Sequence, residues 1–283
     1  GAGGQSRRPG QTVITSQQLS RYYEEYGEQE VTFTRQVSQI LRLLPKQVFL
    51  KRQADTLPCL LYSSSLRGAK VIASLRPELL ALLQESGSGL SLRFSFARDG
   101  ASAPLSFFVA ARLSAHTAYN RETPDLYFLS LEYTHRPPDD LIEMLGELHE
   151  ATCNAQKRGE ERVEVNPASM KALGLESREA NLCVEGVEGR CLLRDLSFSG
   201  AKVLVHGKAE AFLEKPVLLR PVFADRRNPV TLAGRVLRWE GMANREDIGA
   251  IGIRFEEGVP IQYKLAINAC RRQHPHAARG PKG

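Results

Sequence analysis

Two short runs in the second half of this 283-residue chain carry side chains suited to gripping a flat anion. The first is Arg158-Gly159-Glu160-Glu161-Arg162, an RxxxR pair. The second is Asp195-Leu196-Ser197-Phe198-Ser199-Gly200, a DxSxxG turn. A guanidinium is permanently charged and planar, and it forms paired hydrogen bonds to phosphates and to base edges. Its commonest base-specific partner is the O6/N7 edge of guanine, and it also stacks on ring faces. Asp195 is a fixed acceptor that suits an N–H pair such as guanine N1–H and N2–H2, and the Ser197 hydroxyl can donate or accept. Gly200 permits a close backbone approach or a positive φ at a strand junction. Taken singly, the arginines read equally well as solvated linker charges and Asp195 as the maker of an Asx turn.

The elements around the two runs give them a frame. Arg162 and Asp195 are separated by strand-like segments, and a β-rich tail follows. In this order and at this spacing the motifs resemble the PilZ domain, a small β-barrel. The resemblance implies a receptor for the bacterial second messenger cyclic di-GMP. It also implies the roles: Arg158 and Arg162 on a mobile arm that folds over the ligand, with Asp195, Ser197 and Gly200 forming the barrel-side floor. Asn166, just inside the first strand, is a further polar candidate. Trp239, placed at the end of a strand, and Arg194, beside the turn, are others. Each of these two also reads as an ordinary barrel aromatic or a solvated strand charge. Lys157 precedes the first arginine and could influence ligand stoichiometry.

The chain also repeats itself. Ser63-Ser64-Ser65-Leu66-Arg67-Gly68-Ala69-Lys70-Val71 lines up with Asp195 to Val203, and Asp125 to Tyr133 with Asp247 to Phe255. Leu90 to Arg93 parallels Val217 to Arg220, and an amphipathic helical stretch closes each copy. At the positions of Asp195, Arg158 and Arg162 the first copy has Ser63, Tyr26 and Glu30. Two tandem modules are therefore expected, the first keeping the fold and lacking the site. This tandem order resembles spirochaetal proteins of the PlzA type. The expected fold is mainly β with flanking helices: two PilZ-like antiparallel barrels, each followed by an α-helix.

Period and punctuation fill in the elements. Helices are expected from Thr15 or Ser16 to Tyr26, over Val37–Leu44 with Pro45 as the stop, over Arg76–Gln84, from Asp139 to about Gln156, and from Pro260 onward with Ile261, Leu265 and Ile267 facing the barrel. Strands are expected near 47–52, 57–62, 69–74, 90–97, 105–113 and 126–133, then near 161–166, 181–185, 189–194, 201–206, 216–223, 229–239 and 248–255. The domain plan runs as a disordered or tag-like 1–14, a degenerate module at 15–150, a linker with the arm at 151–162, the binding module at 163–273, and a disordered tail at 274–283.

Bulk properties narrow the function. No apolar run reaches membrane-span length and no signal peptide is evident, so a cytoplasmic protein without membrane insertion is expected. The five cysteines form no CxxC and read as reduced, mostly buried thiols. Residues 1–150 hold 16 Lys+Arg against 16 Asp+Glu, whereas 151–283 hold 22 against 16, so the whole net charge of +6 lies in the half with the motifs. Long-range attraction of an anion follows. It also suits a second reading, a nucleic-acid-binding regulator that uses the basic half and can stand under control of the messenger. No phosphate loop, nucleophile elbow or metalloprotease motif is present, so an enzyme is not expected. Cofactors and metals are not expected. The expected partners are cyclic di-GMP and an unknown downstream protein, and the expected state is a monomer that signals by rearranging its two modules.

Overall fold

The computed structural model describes residues 14–85, 89–157, 160–242 and 245–274. The chain divides into two compact units, Gly1–His149 and Glu150–Gly283. Most of both terminal segments expected to be disordered falls outside the described residues. Among the described residues no helix is long and apolar enough to cross a membrane.

The first unit opens with helix α1 (Ser16–Tyr26), whose N-terminal N–H groups are capped by the Thr15 hydroxyl at 3.2 Å from Gln18 N. After the short strand β1 (Val31–Thr32) comes α2 (Arg35–Leu41), capped by Thr34. This helix ends earlier than expected. Arg42 turns left-handed at φ 63° and takes the terminal hydrogen bonds, so Pro45 begins a separate short 3-10 turn. Strands β2 (Phe49–Arg52), β3 (Asp55–Ser64) and β4 (Gly68–Ser74) follow, then α3 (Pro77–Gln84), β5 (Leu90–Phe96), β6 (Leu105–Ala118) and β7 (Leu126–Tyr133). The sheet order β3-β2-β5-β6-β7-β4 closes through a β4–β3 pairing into an antiparallel barrel of six strands, with β1 added beside β3. Period-two alternation fills it: Leu90, Leu92, Phe94 and Phe96 point inward on β5, and Leu129, Leu131 and Tyr133 on β7.

Helix α4 runs from Asp139 to Lys157, so residues 151–157, expected as linker, are helical. Its first part buries Leu141, Ile142, Leu145 and Leu148 within the first unit. In the second unit come β8 (Val163–Glu164), α5 (Pro167–Leu173), β9 (Leu175–Val184), β10 (Val187–Leu196), β11 (Gly200–His206), β12 (Pro216–Phe223), β13 (Leu232–Met242), β14 (Arg245–Phe255) and α6 (Ile261–Gln273). The order β10-β9-β12-β13-β14-β11 closes through β11–β10, with β8 beside β10, which is the first barrel's wiring repeated. The core is built from Leu193, Val203, Leu219, Val236, Ile251 and Ile253 with their neighbours.

Two helical details depart from expectation. Residues 161–166 hold a strand of only two residues, and α5 occupies 167–173, where no element was foreseen. The face of α6 that meets the barrel is Tyr263, Ile267 and Cys270; Ile261 and Leu265 are only half-buried. The five cysteines are free thiols, but only Cys191 and Cys270 are buried, while Cys59, Cys153 and Cys183 are half-buried. Burial pushes the Cys191 thiol up to about 12 and that of Cys270 up to about 11.

Candidate binding site in the second barrel

The DxSxxG run is the connection between β10 and β11. Ser197 N donates to the Gly200 carbonyl at 2.8 Å and the Ser197 hydroxyl donates to the same oxygen at 3.2 Å, which closes a tight turn. Ser197 is buried, so its hydroxyl shapes the turn from inside. From below, the Tyr263 hydroxyl on α6 donates to the Ser197 carbonyl at 2.8 Å. Burial holds that phenol well above its usual range, with the nearby Asp195 carboxylate adding to the rise against Arg162. A bulge between Leu193 and Asp195 re-aims the Asp195 side chain at the end of β10.

Gly200 does not need a positive φ. Its role is close approach: an added Cβ would strike the Ile253 carbonyl of β14, the strand with which Gly200 starts its pairing. The sequence alone left both explanations open, and the register decides between them.

Arg162 stands immediately before β8, which pairs with the end of β10 through Asp195↔Glu164 and Leu196↔Val163. That pairing brings the Arg162 guanidinium onto the Asp195 carboxylate as an ion pair. The side chains are 32% and 17% exposed, so the pair is partly shielded and still reachable from solvent. Two more contacts fasten the same segment: the Ser199 hydroxyl donates to Glu160 at 3.4 Å, and Glu161 pairs with Arg271 of α6, whose guanidinium lies 5.8 Å from the Phe198 ring centroid. Arg158 and Gly159 lie outside the described residues.

Beside Arg162 lies a cleft of about 220 Å³. It is lined by Glu160, Arg162, Ser199 and Gly200 together with Leu237 and Arg238 of β13 and Gly252 and Arg254 of β14. Three arginines facing one glutamate make the cleft cationic. Sequence reasoning did not single out Arg238, Arg254 or Gly252. The aligned repeat already placed Arg254 opposite Glu132, a reversal of charge that could have flagged it.

Asp195 and Ser197 are not themselves in the lining, and neither are the remaining described candidates. Asn166 is not in a strand; it caps α5, its side-chain oxygen accepting from Ala168 N and Ser169 N at 3.0 Å each, while Ser169 Oγ accepts from Asn166 N. Its acceptor is spent on the helix end. Trp239 sits inside β13, which runs on to Met242, and is 40% exposed; its neighbour Arg238, not Trp239, lines the cleft. Arg194 is exposed on β10 and also stands outside the lining. Among the described residues no cluster of His, Cys, Asp or Glu could hold a metal ion.

Residues 17–152 match the PilZN3 domain. The chain is similar to a cyclic di-GMP binding protein of Treponema denticola, 39% identical over 254 residues that make up 89% of this chain and 81% of that protein. Among solved structures it is similar to the Borreliella burgdorferi PlzA protein in complex with c-di-GMP, at 22% identity and TM-score 0.41, covering 90% of this chain and 98% of that one. It is also similar to the Bacillus subtilis inhibitor of motility, at 10% identity and TM-score 0.32, covering 83% and 99%. With two barrels of one wiring, a PilZN3 match over the first and close identity to the treponemal protein along most of both lengths, the chain belongs to the tandem PilZ family.

Proposed function

We propose that the protein is a non-catalytic receptor for cyclic di-GMP and that the second barrel holds the ligand. The observation that carries this reading is Arg162, ion-paired to Asp195 and lining a cationic cleft. A guanine offers both groups what they lack alone: O6 and N7 acceptors for a guanidinium, and N1–H and N2–H2 donors for a carboxylate. Arg162 and Asp195 would then exchange part of their mutual bond for bonds to the base. Gly200 keeps the floor flat, Ser197 holds the turn that aims Asp195, and Arg158 supplies the second cation of the arm. The name of the treponemal relative supports the same ligand. The cleft is smaller than the roughly 300–1,000 Å³ usual for small-molecule sites. It therefore takes one part of the dinucleotide, with the rest lying against the arm. In this reading ligand binding reorders the arm that follows α4 at the start of the second unit, changes the arrangement of the two units and so signals to a downstream protein.

Calorimetric titration of the full chain with cyclic di-GMP tests the assignment. Saturable binding is expected, reduced about tenfold to a hundredfold by Arg162→Ala or Asp195→Ala, as expected for lost hydrogen bonds to a charged group. Unchanged affinity in both variants would reject this site. Small-angle scattering with and without ligand tests the rearrangement, and superimposable profiles at saturation would reject that part.

A further inference from the structure

The cleft contains two cations that belong to neither motif, and the fold makes specific provision for them. Arg238 follows a bulge between Val236 and Arg238, so the strand's register shifts at the point where this side chain enters the cleft. Its stem lies flat across Gly252 on the neighbouring strand: a Cβ there would meet Arg238 Cγ at 2.7 Å and Nε at 2.8 Å. Arg254 sits two residues further along β14, paired with Gly200 on one side and Arg235 on the other. Both line the cleft with Arg162.

The first barrel gives an internal control. Its pairing registers, bulges included, place Ala115, Ser130 and Glu132 where the second has Arg238, Gly252 and Arg254. Counting the lining charges, the second barrel has three arginines against Glu160, a formal +2, of which the Asp195 carboxylate paired with Arg162 offsets one. The matching positions of the first hold Glu28, Glu30 and Glu132 against Arg67, a formal −2. A cyclic dinucleotide carries two phosphodiester charges, opposite in sign to the second cleft. Arginine is the side chain that meets a phosphate with two parallel N–H donors.

We infer that Arg238 and Arg254 are the phosphate-binding residues of this site, and that Gly252 positions Arg238 by leaving the space its stem occupies. The inference rests on the cyclic di-GMP reading of the cleft and deepens it. It divides the work: Arg162 and Asp195 take the base, and the β13–β14 pair takes the backbone of the ligand.

The test is titration of the full chain with cyclic di-GMP at several salt concentrations. Arg238→Gln and Arg254→Gln are each expected to weaken binding about ten- to a hundredfold and to make affinity less sensitive to salt, since screening acts on a charge that is no longer there. Gly252→Ala keeps every charge and displaces the Arg238 stem. It is expected to weaken binding about tenfold, by partial loss of the same bonds, while leaving the salt dependence steep. Thermal unfolding of all three variants should match the wild type, both glutamine side chains being on the barrel's exterior. Wild-type affinity in both glutamine variants would overturn the assignment while the reading of the site stands. Weaker binding with an unaltered salt dependence in both would overturn the phosphate role. If the wild-type chain itself fails to bind, the reading of the site fails, and this inference with it.

Discussion

The two barrels are wired alike strand for strand, yet at the turn that closes β3 onto β4, and β10 onto β11, they hold opposite chemistry. The backbone is conserved between them in detail. Ser65 N donates to the Gly68 carbonyl at 2.8 Å as Ser197 N does to Gly200. An added Cβ would strike the Leu131 carbonyl at Gly68 and the Ile253 carbonyl at Gly200. Val31 pairs beside Ser64 as Val163 pairs beside Leu196. On that common frame Arg162 and Asp195 are replaced by Glu30 and Ser63, and the Ser63 hydroxyl donates to Glu30 at 3.3 Å while Lys70 pairs with the same carboxylate at 2.7 Å. Arg67, in the place of Ser199, lies 3.2 Å from Glu28 and over the Tyr23 ring. The first barrel fills its own site with internal partners. The difference teaches that the turn is a structural device of the barrel, and that the charges set around it are varied by a handful of side chains.

The sharpest way to break the comparison is to write the first barrel's residue into the second. Arg162→Glu installs the counterpart of Glu30 next to Asp195, where two carboxylates repel each other and nothing grips the base. Loss of roughly 2–5 kcal/mol of binding is expected, the range for removing one partner of a hydrogen-bonded charge pair, with the fold retained. Titration with cyclic di-GMP measures it, and retained affinity would show that the charge at this position is immaterial.

The shared frame is tested by Gly68→Val and Gly200→Val. Both side chains would run into the backbone of the adjacent strand, and overpacking of this kind costs about 1–3 kcal/mol. Each should destabilise its own barrel, and only Gly200→Val should also impair binding. Hydrogen exchange resolved by strand distinguishes the two. Equal effects on binding would mean that the first barrel's turn also takes ligand.

The tandem plan was legible because both copies spell the turn alike, with Ser-x-x-Gly-Ala-Lys-Val in register. Alternation placed most strands because each barrel wall has one buried face. What was not legible was set by pairing between distant strands. The cleft wall of Arg238, Gly252 and Arg254 exists only once β13 lies against β14 and β14 against β11. Helix α5 was hidden for a local reason. Its seven residues give too short a window for a helical period, so the Asn166-Pro167 start signal went unused. Helix α4 blurred the domain boundary because it does two jobs: it closes the first copy as α6 closes the second, then opens the second copy as α1 opens the first. The repeat makes this visible, for Tyr22 packs on Gly146 where Asn154 donates to Asn268 at 2.7 Å.

A smaller effect separates capping from binding. Asn166→Ala removes the acceptor for two N–H groups at the start of α5 and should cost about 1 kcal/mol of stability. Because Asn166 stands outside the cleft, cyclic di-GMP affinity should not change. Denaturant unfolding and titration of one variant settle both points, and weakened binding would return Asn166 to the site.

The smallest predicted difference is in acid, and it belongs to the first barrel. His149 packs its ring 5.6 Å from that of Tyr26, and its Nε2 is buried without a hydrogen-bond partner among the described residues. Burial lowers its pKa below the usual 6.5, partly offset by a hydrogen bond with the Gln29 backbone. In the unfolded chain the ring takes up its proton near 6.5, whereas in the folded unit it resists until a lower pH. The unfolded state therefore binds more protons in that window, and stability falls as pH drops below 6.5 toward the folded-state value. His149→Phe keeps the aromatic packing and removes the titration, so the variant should lose less stability than the wild type over the same pH interval. Carboxylates contribute to both proteins alike and cancel in the difference. Trp239, the sole tryptophan, reports on the second barrel by fluorescence, and its transition should be the same in wild type and variant. An unchanged slope in the first barrel's hydrogen exchange would show that the half-buried imidazole is not what couples that unit to pH.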